Sequence, residues 1–305
     1  MAERTLIQHF RKHAPSHPWL RVGSGQDCAA LKWSASSEVV FKIDQVQEGT
    51  HFVLKGREAA TPYQVGWKAM AKTCSDIAAA GCWPVAAMVA VNLRKGSPDR
   101  VALELYKGIT ACCRKYKFAL AGGDLATSKN GLSVTVSLLG EGPKGKMWTR
   151  SGAKAGDFLF VTGALGASRA GRHLNFQPRL DAAKKIRAIA GEGVHACIDI
   201  TDGLSRDLHH LCKESRVGAV LMESAVPVSA TAKKLGNGFA RALKDGEDFE
   251  LLLAVSPRAA EKLERARIGC PLTPIGFIAR GSMPVLYTRE KKFQRLADVG
   301  YEHRT

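Results

Sequence analysis

The chain has 305 residues, of which 45% are hydrophobic and 24% charged, as is typical of a globular protein long enough for two domains. It contains no run of about 18 apolar residues and no signal-peptide core, so we expect neither a membrane span nor a membrane partner. None of the eight cysteines forms a C-x-x-C pair, which indicates reduced thiols and a cytoplasmic location.

The net charge of +17 raises the question of nucleic-acid binding. The basic residues are scattered, with no tract of five or more, and only 7% of the residues are aromatic. We therefore expect a solvated basic surface and no nucleic-acid partner. A nucleic-acid-binding protein is the least favoured class of function, and a steep salt dependence of DNA binding would support it.

The first predicted elements are a strand and an amphipathic helix. The strand covers Val39–Ile43 and is predicted to end on Asp44. The helix has Thr61 as its N-cap, a proline at its first position and Gln64 completing a capping box. Gly81 is a natural residue to follow the end of this helix.

The rest of the first half continues the alternation. A strand is predicted over 84–93, then a helix opened by Ser97 and Pro98, then strands in "KFALAGGD" and "LSVTVSLLGEG". The segment 142–157 is rich in glycine and lysine, and a new strand–helix series starts at 158–163. These patterns predict an α+β fold with α/β layers and two domains, residues 1–143 and 144–305.

Six aspartates lie beside glycines or next to apolar runs: Asp27, Asp44, Asp76, Asp124, Asp199 and Asp202. Each alone is an ordinary turn or cap residue, except Asp76, which falls within an apolar helix. If the strand ends converge, the six carboxylates form an oxygen-rich site of the kind that Mg²⁺ prefers. Several Mg²⁺ ions bridging nucleotide phosphates would explain why so many like charges are placed together.

Other motif matches are absent or are not supported by the secondary structure predicted around them. Residues 140–145 match G-x-G-x-x-G, but no helix pattern follows, so a dinucleotide site is not expected. The chain contains neither a P-loop sequence nor a G-x-S-x-G sequence. His209 and His210 are adjacent on a predicted helix and cannot face one another, so we interpret them as surface or core residues.

Eight sequence blocks, taken in order, carry a family resemblance: "GQDCAAL", "ID…EGTHF", "WKAMAKTCSDIAAAG", "AGGD", "RSGAKAGDFLFVTGALG", "IDITDGLSRDLHH", "GEDFELL" and "GYEH". Together they resemble the thiamine-monophosphate kinases, of the superfamily that includes aminoimidazole ribonucleotide synthetase and selenophosphate synthetase. The resemblance implies two α/β domains, a homodimer formed through the N-terminal sheets, and ATP with Mg²⁺ in a cleft between the domains. It also implies phosphorylation of thiamine monophosphate to thiamine diphosphate by direct in-line transfer.

The resemblance assigns roles residue by residue. The six aspartates named above match family metal ligands. Positions that contact ATP are matched by Tyr106, Gly123, Asp124, Arg150 and Thr201. Substrate positions are matched by His51, Glu247 and Tyr301. Arg150 and Asp202 are the expected catalytic residues, since a guanidinium can clamp phosphate oxygens in a bidentate manner.

Four departures from the family pattern stand out. Gln26 replaces the first acid of "GDDAA", and Lys42-Ile43 replaces two hydroxyl residues before Asp44. The "GGDTT" block reads "GGDLA" here, and the "GGED" block reads "DGED". In an extended strand, positions 42 and 44 project to one face. The Lys42 ammonium could therefore replace one cation of the cluster or contact phosphate. The alternative is that the Lys42 side chain points outward, away from the site.

These departures keep two classes of enzyme-like function open. One is an active thiamine-phosphate kinase with a trimmed metal site, favoured by His51, Glu247 and Tyr301. The other is a diverged ATP-binding paralogue that acts on another small acceptor or on none, favoured by the altered metal positions.

Overall fold

The N-terminal half of the protein is built on a six-stranded sheet. The computed structural model describes residues 20–22, 26–56, 58–281, 285–289 and 292–301. The strands are β1 (Leu20–Val22), β2 (Ala29–Lys32), β3 (Ser37–Gln47), β4 (Trp83–Arg94), β5 (Ala119–Ser128) and β6 (Ser133–Pro143), in the order β1-β2-β3-β6-β4-β5. Among the described strands of this sheet, β4 and β5 pair in parallel and the other neighbours pair antiparallel. Helices α1 (Pro62–Ala79) and α2 (Asp99–Tyr116) belong to this half.

The C-terminal half is built on a second sheet. Its strands are β7 (Phe158–Thr162), β8 (Val194–Asp199), β9 (Gly218–Met222), β10 (Leu251–Val255), β11 (Leu272–Ala279), β12 (Leu286–Arg289) and β13 (Lys292–Arg295). They lie in the order β13-β12-β9-β11-β7-β10-β8. The helices are α3 (Leu180–Ala190), α4 (Leu204–Ser215), α5 (Ala230–Leu235), α6 (Gly238–Lys244) and α7 (Pro257–Glu264). The α+β class is confirmed.

The N-termini of α1 and α2 test two predicted helix caps. The Thr61 capping box is confirmed, because Thr61 Oγ1 accepts from the Gln64 amide and Gln64 Oε1 accepts from the Thr61 amide. The expected cap at Ser97 is wrong. Helix α2 begins at Asp99 after Pro98, without a side-chain cap.

Two strands run further than the sequence suggested. Asp44 was expected to end its strand, but β3 continues to Gln47, and Asp124 lies in the middle of β5. The polar alternation after residue 41 does not mark a strand end. It is a strand with one buried and one exposed face, since Val40 and Val46 are buried whereas Ile43 is exposed.

Helices α1 and α2 pack closely because two glycines lie at their crossing. A Cβ on Gly66 would come within 2.1 Å of the Leu105 carbonyl oxygen, and one on Gly108 within 2.0 Å of the Tyr63 carbonyl oxygen. No larger residue fits either position without moving a backbone. This contact fixes α1 on the inner face of the N-terminal sheet, where it carries Asp76.

The two halves share a hydrophobic core, in which Met70 and Ile77 of α1 belong to one buried cluster with Phe160 of β7. Phe176 and Phe249 stack with ring centroids 4.0 Å apart, and the Trp67 indole donates to the Phe176 carbonyl oxygen at 2.8 Å. The chain between Pro143 and Phe158 contains no helix or strand. In the described ranges, no helix is both long and apolar enough to cross a bilayer.

Candidate active site

A cavity of about 160 Å³ lies between the two sheets. Its lining includes nine of the residues expected to be functional: Asp44, His51, Asp76, Arg150, Asp199, Thr201, Asp202, Glu247 and Tyr301. It also includes six others: Lys42, Thr50, Lys72, Arg169, Asp245 and Phe249. Four cationic and six acidic side chains thus line one small space, so the cavity carries an excess of carboxylates.

Three of the aspartates form a buried group. Asp27, Asp76 and Asp199 each offer a carboxylate oxygen, and these oxygens lie within 4.8 Å of one another. They arrive from three places: the turn before β2, the last part of α1 and the end of β8. Burial, together with the Asp27 carboxylate, raises the pKa of Asp199 to about 7. Asp199 Oδ2 is buried and accepts no hydrogen bond, so one oxygen of the group is available for a cation.

Arg150 closes one side of this group. Its Nε donates to Asp27 Oδ2 at 3.0 Å and its Nη2 to Asp27 Oδ1 at 2.9 Å, a bidentate pair. The Arg150 amide donates to Gln26 Oε1 at 2.6 Å. Gln26, one of the departures, therefore positions the backbone of Arg150 through a neutral oxygen.

Two lysines face the acids from β3 and α1. Lys42 Nζ lies 2.6 Å from Asp76 Oδ1 and 3.7 Å from Asp44 Oδ2, and Lys72 Nζ lies 3.4 Å from Asp44 Oδ1. Lys42 thus points into the site and not outward. Ile43, the neighbouring departure, is 65% exposed on the opposite face of β3.

Two paired loops hold the C-terminal side of the cavity. The Glu247 amide donates to the Thr201 carbonyl oxygen at 2.7 Å, and Asp207 Oδ2 accepts from the amides of Thr201 and Asp202. The Tyr301 amide donates to the Asp202 carbonyl oxygen at 3.0 Å. Glu247 has a φ of 54°, a left-handed conformation that costs energy for a residue with a side chain, so these contacts define its placement.

Glu247 is held by a lysine that is fully buried. Lys68 Nζ donates to both Glu247 carboxylate oxygens at 2.9 Å and to the His51 carbonyl oxygen at 2.6 Å, and lies 2.6 Å from His173 Nδ1. Burial lowers the pKa of Lys68 to about 8, although Glu247 opposes this shift. One ammonium therefore connects α1 to the loops that carry His51 and Glu247.

Replacing Lys68 with methionine is expected to lower the free energy of unfolding by about 3 kcal/mol or more. The substitution leaves the largely buried Glu247 carboxylate without its main counter-charge, and breaking a buried pair from one side costs about 3–5 kcal/mol. Denaturant unfolding of the two proteins measures the difference. The exposed Lys262→Met change in α7 is the control, with an expected effect below about 0.5 kcal/mol. Equal effects of the two substitutions would contradict the importance of the buried pair.

Glu247 should also make stability depend on pH in the acid range. Burial opposes ionisation, but contacts with His173 and Lys68 lower the pKa of Glu247 to about 2, from 4.5. The unfolded chain therefore binds more protons between these values, and the stabilisation, about 3 kcal/mol, is complete above pH 4.5 and lost as the pH falls towards 2. The stability difference between the parent and Glu247→Gln proteins should shrink across this window. A difference in stability that does not change with pH would contradict the lowered pKa of Glu247.

Three of the expected ATP contacts lie elsewhere in the chain. Tyr106, Gly123 and Asp124 line a separate groove of about 590 Å³ between α2 and β5. Cross-strand pairing places Asp124 in one row with Gln45, on the face of the sheet opposite Asp44. The two aspartates are three strand spacings apart, about 14 Å. One chain therefore does not bring all six aspartates together.

Four residues at or behind the site are not among those predicted from the sequence: Lys68, Lys72, His173 and Asp207. Lys68, Lys72 and Asp76 recur at intervals of four on α1, which places them on one stripe of the helix. Charged residues at this spacing in an otherwise apolar helix were a readable signal. His173 and Asp207 gave none, because their partners are distant in the sequence or belong to the backbone.

Comparison with known proteins supplies the family. Residues 25–141 match the model of the AIR synthase related protein, N-terminal domain, and residues 145–281 match that of the C-terminal domain. The chain is 37% identical to the thiamine-monophosphate kinase of Rhodopirellula baltica over 315 residues, covering 99% of this chain and 97% of that one. The chain belongs to the thiamine-monophosphate kinase family.

Other relatives agree with this membership. The thiamine-monophosphate kinase of Salmonella typhimurium is 31% identical, covering 98% of this chain and 96% of its own length. A solved structure of AaThiL complexed with AMPPCP and TMP superposes with a TM-score of 0.83 at 27% identity, covering 99% of this chain and 97% of that one. The two-domain fold expected from the resemblance is confirmed by these matches.

Proposed function

We propose that this protein is an ATP-dependent kinase that phosphorylates thiamine monophosphate to thiamine diphosphate. The observation that carries the proposal is the single cavity in which expected metal ligands, phosphate-binding groups and substrate residues meet. Relatives named thiamine-monophosphate kinase match over nearly the whole chain, and AaThiL was solved with AMPPCP and TMP. The activity is therefore proposed for this chain with ATP as its co-substrate.

The buried acids fit Mg²⁺. Their donors are carboxylate oxygens, which hard cations prefer, and Asp199 Oδ2 accepts no hydrogen bond. With six acids and four cationic side chains lining the cavity, an approaching polyphosphate meets a net negative surface. Divalent ions bound to Asp27, Asp76 and Asp199, with Asp44 and Asp202 alongside, would offset this repulsion and polarise the phosphoryl oxygens.

The chain's own groups can then position an in-line transfer. A phosphate oxygen of thiamine monophosphate attacks the γ-phosphorus of ATP, the bond to the bridging oxygen breaks, and ADP leaves. The acceptor oxygen is already anionic, so no general base is required. Arg150 and Lys42 contribute positive charge beside the phosphates, and the Thr201–Asp202 loop borders the same space. Glu247 and Tyr301 are assigned to the thiamine end, where Tyr301 could stack on a ring.

We also propose a homodimer formed through the N-terminal sheets. Residues 1–143 form the domain that binds ATP and Mg²⁺ and makes the dimer contact, and residues 144–305 form the domain that completes the cleft. The outer face of that sheet exposes large apolar side chains, including Ile43 and Met88. A second copy on this face would cover them. It would also bring its own Tyr106, Gly123 and Asp124 to a site that one chain leaves without them, since the 160 Å³ cavity is small for a whole nucleotide.

The diverged paralogue is the second candidate, favoured by Lys42 at a metal position. Purified protein incubated with ATP, Mg²⁺ and a panel of acceptors separates the two functions. Thiamine diphosphate formed from thiamine monophosphate, but not from thiamine, supports the kinase. ATP binding without product, or turnover of another acceptor, supports the paralogue.

The eight cysteines are all free thiols, in keeping with our expectation of a reducing cytoplasm.

A further inference from the structure

Lys42 is placed where a cation is needed. It is on the inner face of β3, its side chain is 21% exposed, and its ammonium lies between Asp44 and Asp76. The 2.6 Å contact is with Asp76, a member of the buried acidic group. An ammonium at this position acts on the same carboxylate that a bound divalent ion would use.

The neighbouring carboxylates favour the charged form of Lys42. Burial disfavours the ammonium, but the Asp76 and Asp44 carboxylates outweigh burial and raise the pKa of Lys42 above its usual value. Lys72, from α1, provides a second positive charge at Asp44 Oδ1. Asp44 and Asp76 thus have lysine partners supplied by the chain, and Asp27 has Arg150. Two buried oxygens of these acids accept no hydrogen bond: Asp199 Oδ2, and Asp44 Oδ2, which lies 3.7 Å from Lys42 Nζ.

We propose that the Lys42 ammonium is a resident cation that takes the place of one divalent ion between Asp44 and Asp76. Asp27, Asp76 and Asp199 would then hold the divalent ions that remain. The site keeps its neutralising charge with fewer exchangeable ions, and Lys42 acts as a positioning residue for the acids. This inference rests on the magnesium site of the proposed function.

Counting bound Mn²⁺ tests it without any turnover. The full-length protein, saturated with a non-hydrolysable ATP analogue, is titrated with Mn²⁺. Free Mn²⁺ is measured by electron paramagnetic resonance at each addition. We expect Lys42→Thr to bind about one more Mn²⁺ per chain than the parent, because removing the ammonium opens a site with two carboxylates. Lys42→Arg keeps the charge and should match the parent. The exposed Lys262→Thr variant is the control for a general change of charge.

The outcomes are separable. Equal, non-zero counts in the parent and Lys42→Thr proteins, both folded by circular dichroism, would overturn the role of Lys42 and leave the magnesium site standing. An extra ion in Lys42→Arg as well would also overturn it, because charge would then not be the cause. No Mn²⁺ bound by any variant would overturn the inference together with the magnesium site on which it rests.

Discussion

Replacing Asp199 with asparagine is expected to lower kcat by about 1000-fold or more, because it removes an anionic oxygen from the buried acidic group. Asparagine has nearly the same shape, and Asp199 Oδ2 has no hydrogen bond to lose. The neighbouring Asp27 and Asp76 carboxylates remain, but the ion they would share has one ligand fewer.

The same substitution should not unfold the protein. Burial and the nearby Asp27 carboxylate disfavour the ionised form of Asp199, so the neutral amide relieves that cost in metal-free protein above pH 7. We expect the variant to melt at or above the temperature of the parent under these conditions. Asp181→Asn, at an exposed position in α3, is the activity control. Activity within about twofold of the parent in Asp199→Asn would contradict the assignment of this acid.

Replacing Asp124 with asparagine is expected to lower kcat by about 100-fold, although Asp124 lies outside the central cavity of its own chain. The reason is the proposed homodimer, in which Asp124 of one copy serves the site of the other. A loss of activity alone would not prove this, because a residue can act within its own chain through a rearrangement.

Subunit complementation separates these explanations. A heterodimer of one Asp124→Asn chain and one Asp199→Asn chain, isolated through two different affinity tags, has one site with both aspartates and one with neither. It should recover about half the activity of the parent dimer, whereas each variant homodimer stays nearly inactive. An inactive heterodimer would contradict the shared site. So would full activity of the Asp124→Asn homodimer.

Local signals predicted the start of α1 but not that of α2, which has no side-chain cap. The Thr61–Gln64 capping box depends on residues three apart, and it forms as expected. Asp76 is an unusual acid in an apolar helix, and it is buried in the acidic group. The capping box is decided within a few residues of the chain, so the sequence carries it almost completely.

The arrangement of the acids was predicted only in part, because it depends on tertiary packing. Convergence of strand ends describes Asp199, which ends β8. It is wrong for Asp44 and Asp124, which lie within strands on opposite faces of one sheet. A shift of one residue along a strand reverses the face of a side chain, and the pattern around residue 43 did not define the end of β3.

The contacts of Lys42 and Lys68 show a second limit. A sequence indicates which face a lysine occupies, as it did for Lys42 beside Asp44. It does not indicate the partner on the other side of the cavity. That partner is Asp76 from α1 for Lys42, and Glu247 from the second half of the chain for Lys68.

The most direct measurement follows the γ-phosphate itself. The full-length protein, in excess over [γ-³²P]ATP, is mixed with Mg²⁺ and thiamine monophosphate, quenched in acid and resolved by chromatography. We expect the label to pass into thiamine diphosphate in a single turnover, with ADP formed in equal amount and no labelled protein. Label that stays in ATP, or that appears only as inorganic phosphate while thiamine monophosphate is unchanged, would contradict the proposed kinase.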